Sequence, residues 1–325
     1  MNLPCHRAAF RYLTGVHYSM TRPYSYAQST ALITGASRGI GAALARLLAA
    51  RGVPTLVLTA RNEGDLLALA TEIKGKHGTR VEVVVADLAD GDAPAAIKRE
   101  TDRRGLCVDL LINNAGFGTH GLFDETDARQ SHDMITVNVE ALVALTHEYL
   151  PAMIATNRGS VVNIASTASF QAVPFMSVYG ATKAFVLSFG EGLAREMDER
   201  GADGVRIVTL CPGGTQTNFG DGMLRGQFEG AKQDTPERVA EETLLALDRG
   251  DAVRVVGATN YAMTLAPRLL PRGVITKIAG DIFRPAGLAR RSVAAPDGLK
   301  VLVGLAVVGL AAVLLLGARR RGDGR

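Results

Sequence analysis

A tyrosine and a lysine four residues apart are the side chains of this sequence best suited to acid–base chemistry. Tyr179 and Lys183 fall within VYGATKAFVLSFGEGL, whose pattern predicts a helix, so the two side chains share one helix face. An ammonium near a phenol favours the phenolate, so we expect Lys183 to lower the pKa of Tyr179 towards working pH. A tyrosine tuned in this way donates a proton to a carbonyl oxygen or takes one from an alcohol.

Two further polar residues precede this helix in positions that suit the same reaction. Ser166 ends the apolar run SVVNIAS, where its hydroxyl can bond a substrate oxygen as charge develops; Ser169 ranks second because it lies beyond the predicted strand. Asn138 lies in the apolar helical stretch MITVNVEALV, where a polar amide is costly unless it is bonded. We expect Asn138 to bind a helix carbonyl and a water that relays protons to Lys183; the alternative is an ordinary core asparagine.

A glycine-rich turn, TGASRGIG, runs from Thr34 to Gly41 between a predicted strand and a predicted helix. Glycines allow a tight turn and a close approach of the backbone to a pyrophosphate, and the following helix N-terminus favours its negative charge. The turn therefore predicts a dinucleotide site. Its expected contacts are Gly35, Ser37, Arg38, Gly39, Ile40 and Gly41.

Two arginines indicate which dinucleotide binds there. A site for NAD usually has Asp or Glu at the end of the second strand, but this chain has Arg61 there, and Arg38 lies inside the glycine turn. Two guanidinium groups suit a 2′-phosphate, which favours NADP(H). The alternatives are that both arginines are solvated surface charges and that the protein is an NAD-linked dehydrogenase running towards oxidation.

Further cofactor contacts are expected where other apolar runs end, because ligands of open parallel sheets lie at the carboxyl edge. Asp87 is expected to accept a hydrogen bond from the adenine amine, and the small residues of NNAG let the backbone approach the ribose. Residues 218–230 are glycine-rich and apolar, and we interpret them as a flap over the nicotinamide and substrate. Tyr179 and Lys183 are expected to contact the cofactor as well, with Lys183 reaching the nicotinamide ribose hydroxyls. The predicted contacts in the other segments are Asp87, Leu88, Asn114, Ala115, Gly116, Pro212, Gly213 and Thr217.

The elements that must position these residues alternate short apolar runs with longer helical patterns. Runs rich in Val, Ile and Leu without polar alternation are typical of strands buried on both faces. The helical segments 40–52 and 63–78 each end in glycine, a helix stop signal. We predict an α/β fold with a Rossmann-type doubly wound parallel sheet of about seven strands and a C-terminal helical extension. The seven runs are 30–34, 54–60, 81–87, 108–115, 160–166, 205–212 and 253–257.

Composition excludes several other classes of protein. With 36 Lys and Arg against 32 Asp and Glu, the net charge of +4 is too small to indicate nucleic-acid binding. The three cysteines have no metal-ligand spacing, so no metal site is expected. Residues 1–28 contain no acidic residue and are interpreted as a disordered leader, with a transit peptide or translation from Met20 as alternatives.

The C-terminal segments predict a membrane association. Residues 301–318 contain no polar side chain, and 18 residues of helix rise about 27 Å, close to the thickness of a bilayer core. We therefore predict a membrane helix at 299–318 with a basic tail at 319–325, and a catalytic domain on the cytoplasmic side. Residues 258–298 are expected to form short amphipathic helices, either on the membrane surface or as a packed extension or substrate lid.

In their order along residues 29–257, these motifs resemble the short-chain dehydrogenase/reductase family. The resemblance implies a Rossmann-type sheet of about seven strands and a catalytic tetrad of Asn138, Ser166, Tyr179 and Lys183. It also implies hydride transfer at a nicotinamide ring and a dimer or tetramer. The C-terminal extension is similar to that of members acting on lipid-soluble carbonyls, such as steroid or long-chain ketoacyl reductases.

The leading hypothesis is a membrane-associated NADP(H)-dependent oxidoreductase that interconverts a hydroxyl and a carbonyl on a small hydrophobic substrate. The alternative is a non-catalytic NADP(H) sensor or scaffold on the same fold. Proteins of that kind tend to lose the tyrosine or the lysine, and this sequence has both Tyr179 and Lys183.

Overall fold

The computed structural model describes residues 24–217, 233–285 and 287–288. This part of the chain contains a parallel sheet of seven strands in the order β3-β2-β1-β4-β5-β6-β7. The predicted Rossmann-type α/β fold is confirmed. The strands are β1 (Thr30–Thr34), β2 (Thr55–Ala60), β3 (Arg80–Val85), β4 (Leu110–Asn113), β5 (Gly159–Ile164), β6 (Val205–Cys211) and β7 (Val253–Val255).

Helices connect the strands and cover both faces of the sheet. The predicted segment 63–78 forms α2 because Asn62 accepts a hydrogen bond from the Asp65 N–H at its start, and Gly78 takes a left-handed conformation at its end. The α-helices are α1 (Gly39–Ala50), α2 (Glu63–His77), α3 (Ala93–Arg103), α4 (Ala128–Ile135), α5 (Ala141–Ala155), α6 (Ser177–Glu199), α7 (Pro236–Arg249), α8 (Ala258–Leu269) and α9 (Arg272–Ile282).

The central strands are apolar throughout because both faces of the sheet are buried. In β1, Ile33 belongs to the core on one face together with Leu44 and Leu48 of α1. Its neighbour Leu32 points to the other face and belongs to a second core with Leu145 of α5. Side chains that alternate between two cores remove the polar alternation that a half-exposed strand would show.

Several strands end before the predicted apolar runs do. The sheet pairing of β3 stops at Val85, that of β4 at Asn113 and that of β5 at Ile164. The last residues of those runs, which include Asp87 and Ser166, therefore lie in loops at the carboxyl edge rather than in the sheet. Leaving the ladder frees their polar groups to face the cleft at this edge.

The folded region begins earlier than the predicted boundary at residue 29. Tyr26 is buried, and its hydroxyl donates to Asp248 Oδ1 of α7 at 2.7 Å. The Arg51 guanidinium lies 5.7 Å from the Tyr26 ring centroid, and that of Arg206 lies 5.5 Å from the Tyr24 ring centroid. The prediction of a disordered leader is therefore wrong for residues 24–28, and residues 1–23 lie outside the described part.

The C-terminal extension packs on the domain as two helices, α8 and α9. Ile275 and Ala279 of α9 are buried, and His120 Nε2 lies 2.7 Å from the main-chain oxygen of Phe283. Among the described residues, no helix combines the length and the apolar character needed to cross a bilayer. The predicted membrane helix at 299–318 lies outside those residues.

Candidate active site

A cavity of about 2390 Å³ runs along the carboxyl edge of the sheet, from the glycine turn to α9. This volume exceeds the range of about 300–1,000 Å³ that is usual for one small ligand, so a dinucleotide and a second molecule fit together. Of the residues predicted as contacts or catalytic groups, Gly41 and Asn138 are buried behind the wall. The others line the cavity: Gly35, Ser37, Arg38, Gly39, Ile40, Arg61, Asp87, Leu88, Asn114, Ala115, Gly116, Ser166, Tyr179, Lys183, Pro212, Gly213 and Thr217.

The glycine turn has a shape that other residues would not allow. Gly35 and Gly39 have φ values of +63° and +57°, in the left-handed region. A Cβ on Gly41 would lie 2.3 Å from the Gly35 carbonyl oxygen and 2.6 Å from Asn114 Nδ2. The missing side chains let β1 turn directly into α1 and leave the backbone exposed to the cavity. This geometry fits a pyrophosphate at the start of α1.

Thr34, which sequence reasoning did not single out, holds the loop after β4 against this turn. Its hydroxyl oxygen accepts hydrogen bonds from the main-chain N–H groups of Asn114 and Ala115, both at 2.9 Å. Asn114 Nδ2 in turn donates to the Thr34 carbonyl at 2.8 Å. Thr34 is the first residue of the TGASRGIG motif, so the motif itself carried a signal for this role.

The two arginines predicted to select the cofactor both line the cavity. Arg38 directly precedes α1, and Arg61 follows β2. Arg61 Nη1 lies 4.0 Å from Asp87 Oδ2, and both side chains are more than half exposed. Asp87 Oδ1 accepts from the Ala89 N–H at 3.0 Å. Both guanidinium groups therefore belong to the cavity wall, and guanidinium groups are well suited to bind a phosphate.

Tyr179 lies in the first turn of α6 and lines the cavity. A side-chain hydrogen bond joins it to Ser166, in the loop after β5. Burial raises the pKa of Tyr179 to about 12, and the hydrogen bond with Ser166 opposes that rise. The expected fall in pKa is therefore wrong for the chain by itself, because desolvation of the phenolate outweighs other influences.

Lys183 is buried one helical turn after Tyr179. Its Nζ donates to the Ile164 carbonyl at 2.8 Å and lies 5.9 Å from the centroid of the Tyr179 ring. Burial lowers the pKa of Lys183 to about 8. A Cβ on Gly116 would lie only 3.3 Å from this Nζ, so Gly116 leaves the room that the ammonium occupies.

Asn138 lies in a widened turn between α4 and α5, where the Ala141 N–H donates to the Thr136 carbonyl five residues back. Its Oδ1 accepts from the Phe117 N–H at 3.0 Å, and its Nδ2 donates to the Phe117 carbonyl at 2.9 Å and to Thr182 Oγ1 at 3.0 Å. The expected helix-carbonyl contact is therefore replaced by a loop contact. Asn138 joins the loop after β4 to the helix that carries Tyr179 and Lys183.

The two serines considered for the substrate oxygen have different surroundings. Ser166 Oγ faces Tyr179 and accepts from the Ala168 N–H at 3.1 Å. Ser169 is buried and donates to the main-chain carbonyl of Lys183 at 2.8 Å. Ser169 is thus engaged in holding the backbone of α6, whereas Ser166 lines the cavity.

The loop after β6 closes the remaining side of the cavity. The Pro212 carbonyl accepts from the Thr167 N–H at 2.9 Å, and Thr217 packs on Gly39, where a Cβ would lie 3.1 Å from Thr217 Cγ2. A Cβ on Gly213 would lie 2.5 Å from Asn260 Nδ2, so the loop and α8 are in close contact. Asn260 was not predicted from sequence. Residues 218–230, the predicted flap, lie outside the described part.

Comparison with protein families gives a match that agrees with this geometry. The family model for short chain dehydrogenases matches residues 29–226, more than half of the chain. The chain belongs to the short-chain dehydrogenase/reductase family. It is therefore an oxidoreductase that uses a nicotinamide cofactor.

Individual relatives agree with this assignment. An uncharacterized oxidoreductase of Staphylococcus saprophyticus is 32% identical over 69% of this chain and 93% of its own length. A short-chain dehydrogenase from Sphingobium yanoikuyae, solved in complex with NADPH, superposes with a TM-score of 0.66 at 31% identity, over 83% of this chain and 99% of that one. The bulky-bulky ketone specific alcohol dehydrogenase of Comamonas testosteroni gives 0.63 at 28% identity, over 82% and 99%.

Proposed function

We propose that this short-chain dehydrogenase/reductase interconverts a hydroxyl and a carbonyl on a hydrophobic substrate with NADP(H), and that Tyr179 exchanges the proton. The hydrogen bond between Tyr179 and Ser166 inside the cavity carries this proposal. It brings a proton donor and a second hydroxyl to one point, where a substrate oxygen can contact both.

The bound nicotinamide would supply or accept the hydride. Tyr179 holds its proton at neutral pH because burial raises its pKa to about 12, so it is ready to protonate the oxygen of a reduced carbonyl. The Ser166 hydroxyl donates to the same oxygen as negative charge develops on it. Lys183 would hold the ribose hydroxyls of the nicotinamide end, and it keeps a positive charge beside the phenol.

Arg38 and Arg61 support NADP(H) in preference to NAD(H). Both line the cavity, and the position after β2 has no carboxylate to hold a ribose diol. Guanidinium groups bind a phosphate through charge-assisted hydrogen bonds. The relative from Sphingobium yanoikuyae was solved in complex with NADPH, which supports this choice. The match covers 99% of the length of that relative.

The substrate end of the cavity favours a hydrophobic molecule. Beyond Tyr179, its wall is built from side chains of the loop before α6 and of the C-terminal helices, among them Val173, Met176, Leu270 and Ile275. Apolar walls with few polar groups bind apolar parts of a ligand and leave Tyr179 and Ser166 to orient the carbonyl. The relative from Comamonas testosteroni is described as specific for bulky ketones.

We also propose that the protein is held at a membrane by residues 299–318, with its catalytic domain on the cytoplasmic side, and that it forms a homo-oligomer. The uncharged run at 301–318 supports the membrane helix, and family membership supports the oligomer. Membrane fractionation of the full chain and of a chain ending at residue 298 tests the first part. A full-length protein that stays in the supernatant contradicts it.

An activity screen tests the function directly. Purified protein is incubated with NADPH or NADH and a series of aldehydes and ketones of increasing chain length, and cofactor oxidation is followed by absorbance. We expect turnover with NADPH that rises with the chain length of the carbonyl. Tight NADPH binding without turnover across the whole series would instead favour the non-catalytic sensor.

A further inference from the structure

We propose that the mouth of the cavity docks on an anionic lipid bilayer through α8 and α9, and that substrate enters the cavity from that bilayer. The entry step rests on the proposed oxidoreductase function, whereas the docking step does not. The binding partner in this proposal is a lipid surface with negative headgroups.

Three apolar side chains line the cavity and are also exposed to solvent. Met263 of α8 is 58% exposed, and Ile278 and Ile282 of α9 are 42% and 46% exposed. We call these three residues the apolar rim. Ile278 and Ile282 lie four residues apart and so share one helix face. Large apolar side chains gathered at an opening are unusual on a surface that faces only water.

The apolar surface continues from the rim into the cavity. Ile275 and Ala279 lie on the same side of α9, are buried, and line the cavity, as does Leu270 between the two helices. An apolar substrate that leaves a bilayer at the rim would thus meet apolar side chains on its way towards Tyr179. A passage of this kind avoids transfer of the substrate through water, which is the costly step for an apolar molecule.

The segment that carries the apolar rim is basic. Arg268, Arg272 and Lys277 are exposed, and Asp281 is the only acidic residue between positions 258 and 288. Helical segments that combine exposed apolar residues with lysine and arginine bind at the interface of anionic membranes. The charge of the extension therefore complements a negative lipid surface rather than a neutral one.

The sequence that follows α9 is consistent with a bilayer as the occupant. It continues to the uncharged run at 301–318, which is flanked by Lys300 and by three arginines at 319–321. A chain that enters a bilayer there would tether the domain to the same lipid surface. A second copy of the chain and residues 218–232 of the same chain are the other possible covers, and the experiment below separates them.

Single-tryptophan variants test the docking, because the natural chain has no tryptophan. Met263→Trp and Ile278→Trp are made in the full chain, with Leu67→Trp as the control. Leu67 lies on α2, is 51% exposed and does not line the cavity. Each variant is mixed with vesicles of phosphatidylcholine and phosphatidylglycerol whose acyl chains carry bromine, a quencher of tryptophan emission.

We expect brominated vesicles to quench the emission of Trp at 263 and 278 several-fold more than that of Trp at 67. Brominated vesicles of phosphatidylcholine alone should quench these tryptophans less. The anionic vesicles should also quench Trp at 263 less when Arg272→Gln and Lys277→Gln are added to Met263→Trp. Equal quenching at positions 67 and 263 would overturn the docking. So would emission at 263 that is blue-shifted without vesicles and unaffected by bromine, since the rim would then be covered by protein.

Kinetics with two carbonyls test the entry step. Dodecanal dissolved in anionic vesicles and propanal dissolved in buffer are compared for the natural chain and for Arg272→Gln/Lys277→Gln. We expect the double variant to raise the KM for vesicle-borne dodecanal several-fold and to leave its kcat and the KM for propanal unchanged. An unchanged KM for dodecanal would overturn entry from the bilayer. Absence of turnover in the natural chain would contradict the proposed function, while tryptophan quenching would still decide the docking.

Discussion

Asn138 and the main chain of Phe117 exchange two hydrogen bonds in opposite directions. The Phe117 N–H donates to Asn138 Oδ1 at 3.0 Å, and Asn138 Nδ2 donates to the Phe117 carbonyl at 2.9 Å. The same Nδ2 donates to Thr182 Oγ1, next to Lys183 in α6. One buried amide thus fixes the loop after β4 relative to the helix that carries Tyr179.

Replacing this amide should loosen the site and the fold together. In Asn138→Asp a carboxylate oxygen faces the Phe117 carbonyl, and in Asn138→Leu both main-chain groups lose their partner. We expect the free energy of unfolding to fall by about 3 kcal/mol in Asn138→Leu, as for buried polar groups left unpaired. Chemical unfolding measures this loss. Thr182→Val removes the bond from Asn138 Nδ2 and the bond that Thr182 Oγ1 donates to the Tyr179 carbonyl, but it leaves both Phe117 bonds and should cost less. Equal stability of Asn138→Leu and the natural chain would contradict the account.

Gly41→Ala should destroy cofactor binding, because its Cβ would lie 2.3 Å from the Gly35 carbonyl oxygen. We expect the new methyl group to force the glycine turn open at a cost of about 1–3 kcal/mol. Gly75→Ala in α2 is the matched control, since a Cβ there meets nothing within 4 Å. That variant should gain up to about 1 kcal/mol from helix propensity. Calorimetric titration measures the affinity of both variants for NADPH, and thermal unfolding measures their stability. Tight NADPH binding by Gly41→Ala would contradict the assignment of the cofactor site to the glycine turn.

Arg38→Ala and Arg61→Ala should each weaken NADPH binding and leave NADH binding nearly unchanged. A charge-assisted hydrogen bond is worth about 1.5–3 kcal/mol, so we expect the Kd for NADPH to rise by at least about tenfold. Fluorescence titration with both cofactors measures the difference. Asp87→Asn removes the exposed ion pair between Arg61 and Asp87 and therefore shows how much the loss of that pair alone changes NADPH binding. If both arginine variants bind NADPH as the natural chain does, the phosphate role is wrong.

Reduction should lose efficiency as pH rises through about 8. Burial lowers the pKa of Lys183 to about 8, so its ammonium is present below that pH and is lost above it. Tyr179 stays protonated over the same range because its pKa is raised to about 12. We expect kcat/KM with NADPH to fall above pH 8, and Lys183→Arg, which stays charged, to lose that dependence. A profile that stays flat well above pH 8 would contradict this role.

The sequence predicted the sheet and the cleft because both depend on local patterns. Seven apolar runs suffice for a parallel sheet, and the carboxyl edges of parallel strands must come together. For this reason Gly35, Arg61, Asn114 and Ser166 could be assigned to one cleft before their contacts were known. Only the exact ends of the strands differed, because polar residues such as Asp87 leave the ladder to face the cavity.

What the sequence did not predict depends on contacts between distant residues. The hydrogen-bond partner of Asn138 is Phe117, which lies in a loop whose position no local pattern predicts. The hydroxyl of Tyr26 donates a hydrogen bond to Asp248 of α7, which is more than 200 residues away in sequence. The pKa of Tyr179 rises rather than falls because burial is a property of the whole fold. That α9 packs on the domain and contributes Ile275 to the cavity is likewise a tertiary contact that no local pattern predicts.

The kinetics of Tyr179→Phe test the central claim most directly. The variant removes one hydroxyl and keeps the half-buried ring beside Lys183, so the Kd for NADPH should stay unchanged. We expect kcat for reduction of a long-chain aldehyde to fall by about 10³-fold, the usual effect of losing a positioned proton donor. Turnover at the natural rate in Tyr179→Phe, with NADPH bound as before, would contradict the assignment of the proton to this phenol.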